Sequence, residues 1–196
     1  HPRTRPWPLP GRQPAASARQ IAFSGGFILH TGYPNPGIAA SLRRYQNAWS
    51  HAPVPVIVHL IPRNADELAA MIPPLEICDN LAGLEVGIAP DISLDAATDL
   101  LQAALSELPI ILRLPQDRAI ELVRSLAPFL DDGRITAISL GPGRGSLPTP
   151  NGSFIRGRIY GPAVLPAALA AVRTLSESNL PVIGAGGVYR SQDIQA

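Results

Sequence analysis

The sequence has little of several features that mark particular protein classes. Its one cysteine, Cys78, cannot form an internal disulfide, which argues against a disulfide-stapled domain and predicts a reducing compartment such as the cytoplasm. A formal net charge of +1 and only 5% aromatic residues argue against nucleic acid as a partner. No apolar run approaches the roughly 20 residues that span a bilayer, so no membrane span is expected. The 4 histidines and the cysteine show no ligand spacing, so no metal site is predicted.

Proline, by contrast, is abundant, and it lies mostly beside short apolar runs. The chain has 22 prolines in 196 residues, a placement that suits loops flanking strands because proline cannot donate into a sheet. The length predicts one domain over residues 1–196. Residues 1–19, rich in proline and arginine, show no helical or strand period. We interpret them as an irregular arm, with a solvated tail as the alternative. The first residue is His1 rather than Met, which indicates a piece of a longer chain.

Apolar, β-branched runs alternate with amphipathic segments along the rest of the chain. This alternation is typical of βαβ units and a parallel sheet. The predicted strands are 54–60, 84–88, 109–114, 135–140 and 181–184, and a hairpin is predicted around Gly25 and Gly26. The predicted helices are 36–50, one capped by Asn64 and broken at Pro73 and Pro74, 94–107 capped by Ser93, 117–130, and 163–178. A long loop is predicted over 141–160, and Ser191 is predicted to cap one more helix.

Two folds have this pattern, the (β/α)8 TIM barrel and the doubly wound sheet. A doubly wound sheet typically carries its glycine fingerprint after the first strand, whereas barrels often bind phosphate beside their last strands. Here the glycine-rich turn follows the last predicted strand, which favours an α/β TIM barrel. A whole barrel has about 250 residues, so the barrel is predicted to be incomplete, without its early strands and its last strand.

The strongest local signal is the turn that contains Gly184, Gly186 and Gly187. Glycines let backbone N–H groups approach an anion closely, which predicts a phosphate site. A tight turn without a ligand is the alternative.

Several basic residues could serve the same ligand. Arg113 interrupts an apolar strand, where a charge is costly unless it faces a polar site, so we interpret it as an anion or cofactor clamp. His59 has a similar position, but a lone histidine is more often structural. Arg144, Arg156 and Arg158 could close over an anion or could lie in a solvated loop.

The order of these segments resembles the dihydroorotate dehydrogenase family, FMN-dependent β/α-barrel enzymes of pyrimidine biosynthesis. The matching segments are HPR (1–3), GYPNPG (32–37), PVIV (55–58), LEV (84–86), IILRL (110–114), YGPA (160–163) and PVIGAGGV (181–188). They cover nearly the whole chain in the family's order. The resemblance implies an oxidoreductase with FMN as cofactor and a small molecule as substrate.

The resemblance also implies roles for particular residues. Gly184, Gly186 and Gly187 correspond to the turn that holds the FMN phosphate. Gly161 lies in the stretch that borders the flavin, although Tyr160 replaces the family's serine. Arg113 replaces a lysine near the flavin. Gly32 and Asn35 lie in the turn that implies substrate binding.

Departures from the family pattern predict an altered substrate. After residues 84–86 the family has an asparagine, a serine or cysteine base and another asparagine, but this chain has Gly87-Ile88-Ala89-Pro90-Asp91. Asp91 is the remaining candidate base. Leu29 and Gly141-Pro142 stand where further amide side chains are expected. Because a planar carboxylated ring needs several fixed hydrogen bonds, these losses argue against dihydroorotate.

Two functions therefore follow from the sequence. The first is an FMN-dependent oxidoreductase for CH–CH donors that acts on a changed substrate. The second is a catalytically inactive paralogue, or a binding subunit, that retains a phosphate or FMN pocket. An incomplete barrel exposes strand edges, so we expect these 196 residues not to fold stably alone, and a homo-oligomer is compatible with that expectation.

Overall fold

A computed structural model describes residues 19–30, 36–130 and 132–195. The predicted arm 1–19, except its last residue, and the predicted substrate residues Gly32 and Asn35 lie outside the described residues. The described strands are β1 Arg19–Phe23, β2 Gly26–His30, β3 Val56–Leu60, β4 Leu81–Gly87, β5 Ile110–Leu114, β6 Ile135–Leu140, β7 Arg144–Pro148, β8 Phe154–Tyr160 and β9 Val182–Ile183. The helices are α1 Ile38–Ser50, α2 Ala65–Met71, α3 Pro73–Glu76, α4 Leu94–Ala103, α5 Ala119–Leu130 and α6 Leu165–Leu175.

Five strands form a parallel sheet in the order β3-β4-β5-β6-β9. Strands and helices alternate along the chain, with α2 and α3, α4, α5 and α6 between successive strands. The order follows the chain without the reversal that a doubly wound sheet requires. The predicted α/β class and incomplete TIM barrel are confirmed, since the described strands form one open segment of a barrel wall.

The two faces of this sheet have different compositions because successive side chains of a strand point to opposite sides. One face is apolar and packs against the helices, with Leu60, Leu84 and Leu112 all fully buried. The opposite face, which is the inner face of the barrel, carries polar side chains near the carboxyl ends of the strands. The apolar face supplies the core, and the inner face is left to position a site.

A second sheet has the order β1-β2-β8-β7, and all its pairs are antiparallel. The hairpin predicted around Gly25 and Gly26 is β1 and β2. The prediction of a loop over 141–160 is wrong, because this stretch forms the β7–β8 hairpin. Its glycines concealed the strands: a Cβ at Gly157 would lie 2.6 Å from the Leu29 carbonyl oxygen, so only glycine lets β8 approach β2.

Helix ends agree with the predicted caps at two positions and differ at two others. Asn64 and Ser93 accept hydrogen bonds from the backbone N–H groups of Glu67 and Ala96, at 2.9 and 3.2 Å. Helix α4 ends at Ala103 rather than at 107, because the Ser106 hydroxyl and the Glu107 N–H both donate to the carboxylate of Glu76 on α3.

Ser191 opens only a 3-10 turn, Ser191–Ile194, and does not cap it. The Asp193 carboxylate instead accepts from the backbone N–H groups of Tyr189 and Arg190. Within the described ranges, no helix combines the length and apolar character needed to cross a bilayer.

Candidate functional site

A cavity of about 640 Å³ lies at the carboxyl ends of the central strands. This is the end of a β/α barrel at which active sites are built. Its wall comes from the ends of β3 to β6, from the loops after them, and from one face of the β7–β8 hairpin. The lining residues are His59, Ile61, Gly87 to Asp91, Arg113 to Pro115, Gly141, Pro142, Arg144, Arg156, Arg158 and Tyr160.

Four polar side chains from four adjacent strands meet beneath this cavity, around Glu85. His59 Nδ1 lies 2.6 Å from Glu85 Oε2, and Arg113 Nη1 lies 3.1 Å from the same oxygen. The Ser139 hydroxyl donates to Glu85 Oε1 at 2.5 Å. His59 pairs with Glu85, and Arg113 pairs with Ser139, in the register of the parallel sheet. The sheet register therefore brings the four groups to one level of the inner face.

The Glu85 carboxylate is ionised in this setting. Burial alone raises its pKa, but hydrogen bonds with His59 and Ser139, and the positive charges of His59 and Arg113, outweigh burial and lower the pKa from 4.5 to about 2. A permanent negative charge at this point holds Arg113 and His59 in place.

The sequence analysis singled out Arg113, and the structure places its side chain on the cavity wall. It did not single out Glu85 or Ser139. The argument that identified Arg113, a charge within an apolar strand, applies equally to Glu85. Ser139 gives no such signal, because a hydroxyl is common in strands, and only its burial to 4% exposure beside Glu85 reveals its role.

His59 occupies a position suited to proton transfer. A Cβ at Gly87 would lie 2.9 Å from its Cε1 and 3.2 Å from its Nε2, so Gly87 leaves the space that the imidazole ring uses at the cavity wall. A carboxylate at Nδ1 orients a histidine and stabilises its protonated form, as in other acid–base sites. The pair can therefore accept a proton from the cavity and return it.

Asp91, the candidate base from the sequence, lies in the exposed loop after β4 and lines the cavity. Arg118 of the segment before α5 holds this loop. Its Nη1 donates to the carbonyl oxygens of Pro90 and Ile92 at 3.2 and 2.7 Å, while its other nitrogens bind Glu121. Asp91 is thus fixed at the cavity entrance, whereas His59 is partly buried.

Three arginines of the β7–β8 hairpin share one face, which forms part of the cavity wall. Arg144 and Arg158 are directly opposite each other across the strand pair, and Arg156 lies two residues from Arg158. The Nε of Arg144 is buried, and no described residue provides it with a hydrogen-bond partner. Asp91 is the single acidic residue in the wall, so the cavity is electropositive.

The glycine turn follows β9 at the same end of the sheet but outside the cavity wall. Gly186 and Gly187 have φ angles of 115° and 79°, which favour glycine. A Cβ at Gly187 would lie 2.3 Å from the Leu165 backbone nitrogen, so the turn contacts the start of α6. Within the described chain, the N–H groups of residues 185–187 donate no backbone hydrogen bond. A tight turn with unused N–H groups can cradle an anion.

Gly161 has a structural reason to be glycine. Its φ is 124°, and a Cβ there would lie 2.4 Å from the Gly25 carbonyl oxygen. It does not line the cavity, although its neighbour Tyr160 does. The structure thus brings Asp91 and Arg113 together at the cavity and leaves Gly161, Gly184, Gly186 and Gly187 beside it.

No protein-family model matches the sequence. The chain is similar to the catalytic subunit of dihydroorotate dehydrogenase B (NAD(+)) from Bacillus thuringiensis (strain Al Hakam), at 25% identity over 187 aligned residues. The protein of the same name from Bacillus mycoides (strain KBAB4) matches to the same extent. Each alignment covers 87% of this chain and 60% of the relative, so the chain spans less than two thirds of their length.

The fold is similar to that of dihydroorotate dehydrogenase from Eimeria tenella, solved in complex with ferulenol. The superposition has a TM-score of 0.69 and covers 98% of this chain and 64% of that one. The sequences are 10% identical, so this likeness bears on the fold alone. Together with the curated relatives, it confirms the resemblance that the sequence segments indicated.

Proposed function

We propose that this chain, a divergent relative of the dihydroorotate dehydrogenases, is an FMN-dependent oxidoreductase for CH–CH donors whose substrate differs from dihydroorotate. The observation that carries the proposal is the Glu85-centred network of His59, Arg113 and Ser139 at the floor of the cavity. A barrel whose inner face served only packing would not place a charged network at the carboxyl ends of its strands.

The described residues fit FMN at two places. The N–H groups of the turn at Gly186 and Gly187 suit a phosphate, and no side chain at either position obstructs them. Arg113 provides a fixed positive charge at the cavity, where the family has a lysine. When bound, FMN would accept the hydride that CH–CH dehydrogenation releases. Gly161 belongs to the same cofactor-binding proposal through its position beside Tyr160.

The protein itself must accept the proton that accompanies the hydride. We assign this role to His59, because Glu85 orients the imidazole and compensates its charge after protonation. Asp91, the candidate base from the sequence, is the competing assignment at the cavity entrance. Because Asp91 is exposed and His59 is partly buried beside Glu85, His59 is better protected from water.

The first experiment is the visible absorption spectrum of the purified full-length protein. Bands of oxidised flavin, released as FMN on denaturation, would support the proposal. A colourless protein that FMN cannot reconstitute would overturn it. Gly187→Ala should then lower FMN affinity, whereas Gly133→Ala, at an open position with a similar φ of 82°, should leave it unchanged.

The second candidate function is an inactive paralogue or binding subunit that retains the pocket. The replacement of the family's base region by Gly87-Ile88-Ala89 favours it. Bound flavin that no reduced substrate bleaches would support this alternative. In either case we propose a cytoplasmic protein that acts on or binds a small molecule, with association into a homo-oligomer through its strand edges.

A further inference from the structure

The β7–β8 hairpin places like charges where a sheet normally avoids them. Arg144 and Arg158 are direct cross-strand partners, a position in which Cβ atoms are about 5 Å apart and like charges destabilise the pair. Arg156 adds a third positive charge on the same face. A fold keeps such an arrangement at a cost in stability, so the arginines must serve something that binds between them.

The other face of the hairpin determines where the arginines point. Gly145 and Gly157 are also cross-strand partners, and a Cβ on either would lie 2.8 Å or less from atoms of Ile159 or Leu29. This face therefore packs tightly within the second sheet. The arginine face is left to the cavity and contributes Arg144, Arg156 and Arg158 to its wall.

The positive charge of this wall is not balanced by the protein groups around it. Glu85 is engaged by Arg113, His59 and Ser139, and Asp91 is the single carboxylate among the lining residues. Arg144 Nε is buried, and the described residues offer it no acceptor. A buried charged donor without an acceptor is costly, which indicates that an anionic ligand completes this wall.

We propose that the cavity binds a small organic dicarboxylate. This inference rests on the proposed function, since it takes the cavity as the substrate chamber and names the class of substrate. Positive charge stands on two separate walls, Arg113 on the sheet and the Arg144–Arg158 pair on the hairpin, so two separated negative charges match it. Guanidinium groups bind carboxylates in bidentate fashion, and a volume of about 640 Å³ suits a small molecule.

Calorimetric titration of the full-length protein at low salt tests the inference, with succinate as probe and monomethyl succinate as the singly charged control. Succinate should bind about tenfold or more tightly than its monoester. Arg144→Met should weaken succinate binding about tenfold and, because it removes the repulsion from Arg158, raise the Tm of the ligand-free protein. The matched control Arg173→Met, in the exposed last turn of α6, should change neither.

Equal affinity for succinate and its monoester would overturn the inference, as would succinate binding that Arg144→Met leaves unchanged. Inorganic phosphate that binds in place of succinate, with the same dependence on Arg144, would assign the wall to a phosphate and also overturn it. Titrations of both FMN-loaded and FMN-free protein separate this inference from the proposed function. Succinate binding to a colourless protein would leave the dicarboxylate site without the oxidoreductase. A reducible flavoprotein without succinate binding would remove only the site.

Discussion

At the scale of single residues, Glu85 is the clearest case of a group whose role depends on its surroundings. Its carboxylate is charged because His59, Arg113 and Ser139 all converge on it. The unfolded state binds a proton as pH falls through 4.5, whereas the folded state does so near pH 2. The stabilisation is therefore complete above about pH 5 and is lost as pH falls from 4.5 to about 2.

We expect Glu85→Gln to destabilise the full-length protein at pH 7 by about 1–2 kcal/mol, a figure reduced for the partial exposure of the group. The difference from the wild type should shrink as pH falls toward 2. Urea unfolding followed by tryptophan fluorescence at several pH values measures it. Glu177→Gln, at an exposed position, is the control. A difference that stays constant with pH would contradict the role of the Glu85 charge.

Proton transfer by His59 also belongs to this scale. Once a substrate is known, His59→Gln should lower kcat about a hundredfold or more and remove the acidic limb of the pH–rate profile. Asp91→Asn should leave that limb in place. Bound flavin, read from its spectrum, should persist in both variants. If Asp91→Asn rather than His59→Gln abolishes the limb, Asp91 is the base.

Asn80 provides a structural test at the same scale. It is the non-glycine residue with positive φ, 63°, in the described ranges, and its amide donates to the carbonyls of Trp49, Ala52 and Val54. Asn80→Gly keeps the backbone conformation but loses these bonds, at about 1–2 kcal/mol. Asn80→Ala should cost about 1 kcal/mol more, because alanine disfavours this conformation. Equal stability of the two variants by urea unfolding would show that the backbone conformation contributes nothing.

At the scale of elements, the loop after β4 depends on the start of α5. Arg118 binds the carbonyls of Pro90 and Ile92 as well as Glu121, and this side-chain hydrogen bond with Glu121 raises the pKa of Arg118. We expect Arg118→Met to increase amide hydrogen exchange in residues 88–92, because it removes the contacts that hold the loop. Arg124→Met, exposed on α5, should not. Unchanged exchange in the Arg118 variant would show that the loop is held by its own backbone.

At the scale of the whole molecule, the open edges of the sheet dominate the expected behaviour. The edge strands β3 and β9 carry Ile57 and Ile183 on the inner face, with 52% and 48% of their surfaces exposed. Exposed apolar edges invite pairing with other chains. We therefore expect residues 1–196 alone to self-associate, as measured by size-exclusion chromatography with light scattering. Ile57→Gln together with Ile183→Gln should reduce the association, and a monomer with a cooperative melt would contradict it.

Much of the architecture followed from local pattern. The β-branched runs 54–60 and 135–140, the caps Asn64 and Ser93, and the break at Pro73 depend on interactions within a few residues, so the sequence predicts them directly. The late position of the glycine turn was enough to favour a barrel over a doubly wound sheet. The charge of Arg113 within an apolar strand was enough to point it toward a polar cavity.

Other features depended on groups far apart in the chain. The strands β7 and β8 were concealed by Gly145 and Gly157, which are glycine because β2 lies against them, more than 100 residues earlier. The Glu85 network joins four strands, and only the register of the sheet brings His59 and Ser139 to one carboxylate. Local order is encoded by neighbours in sequence, whereas a site is a coincidence of strand ends. The sequence by itself therefore determined the fold class and its elements, and the tertiary structure decided which charged groups share the cavity.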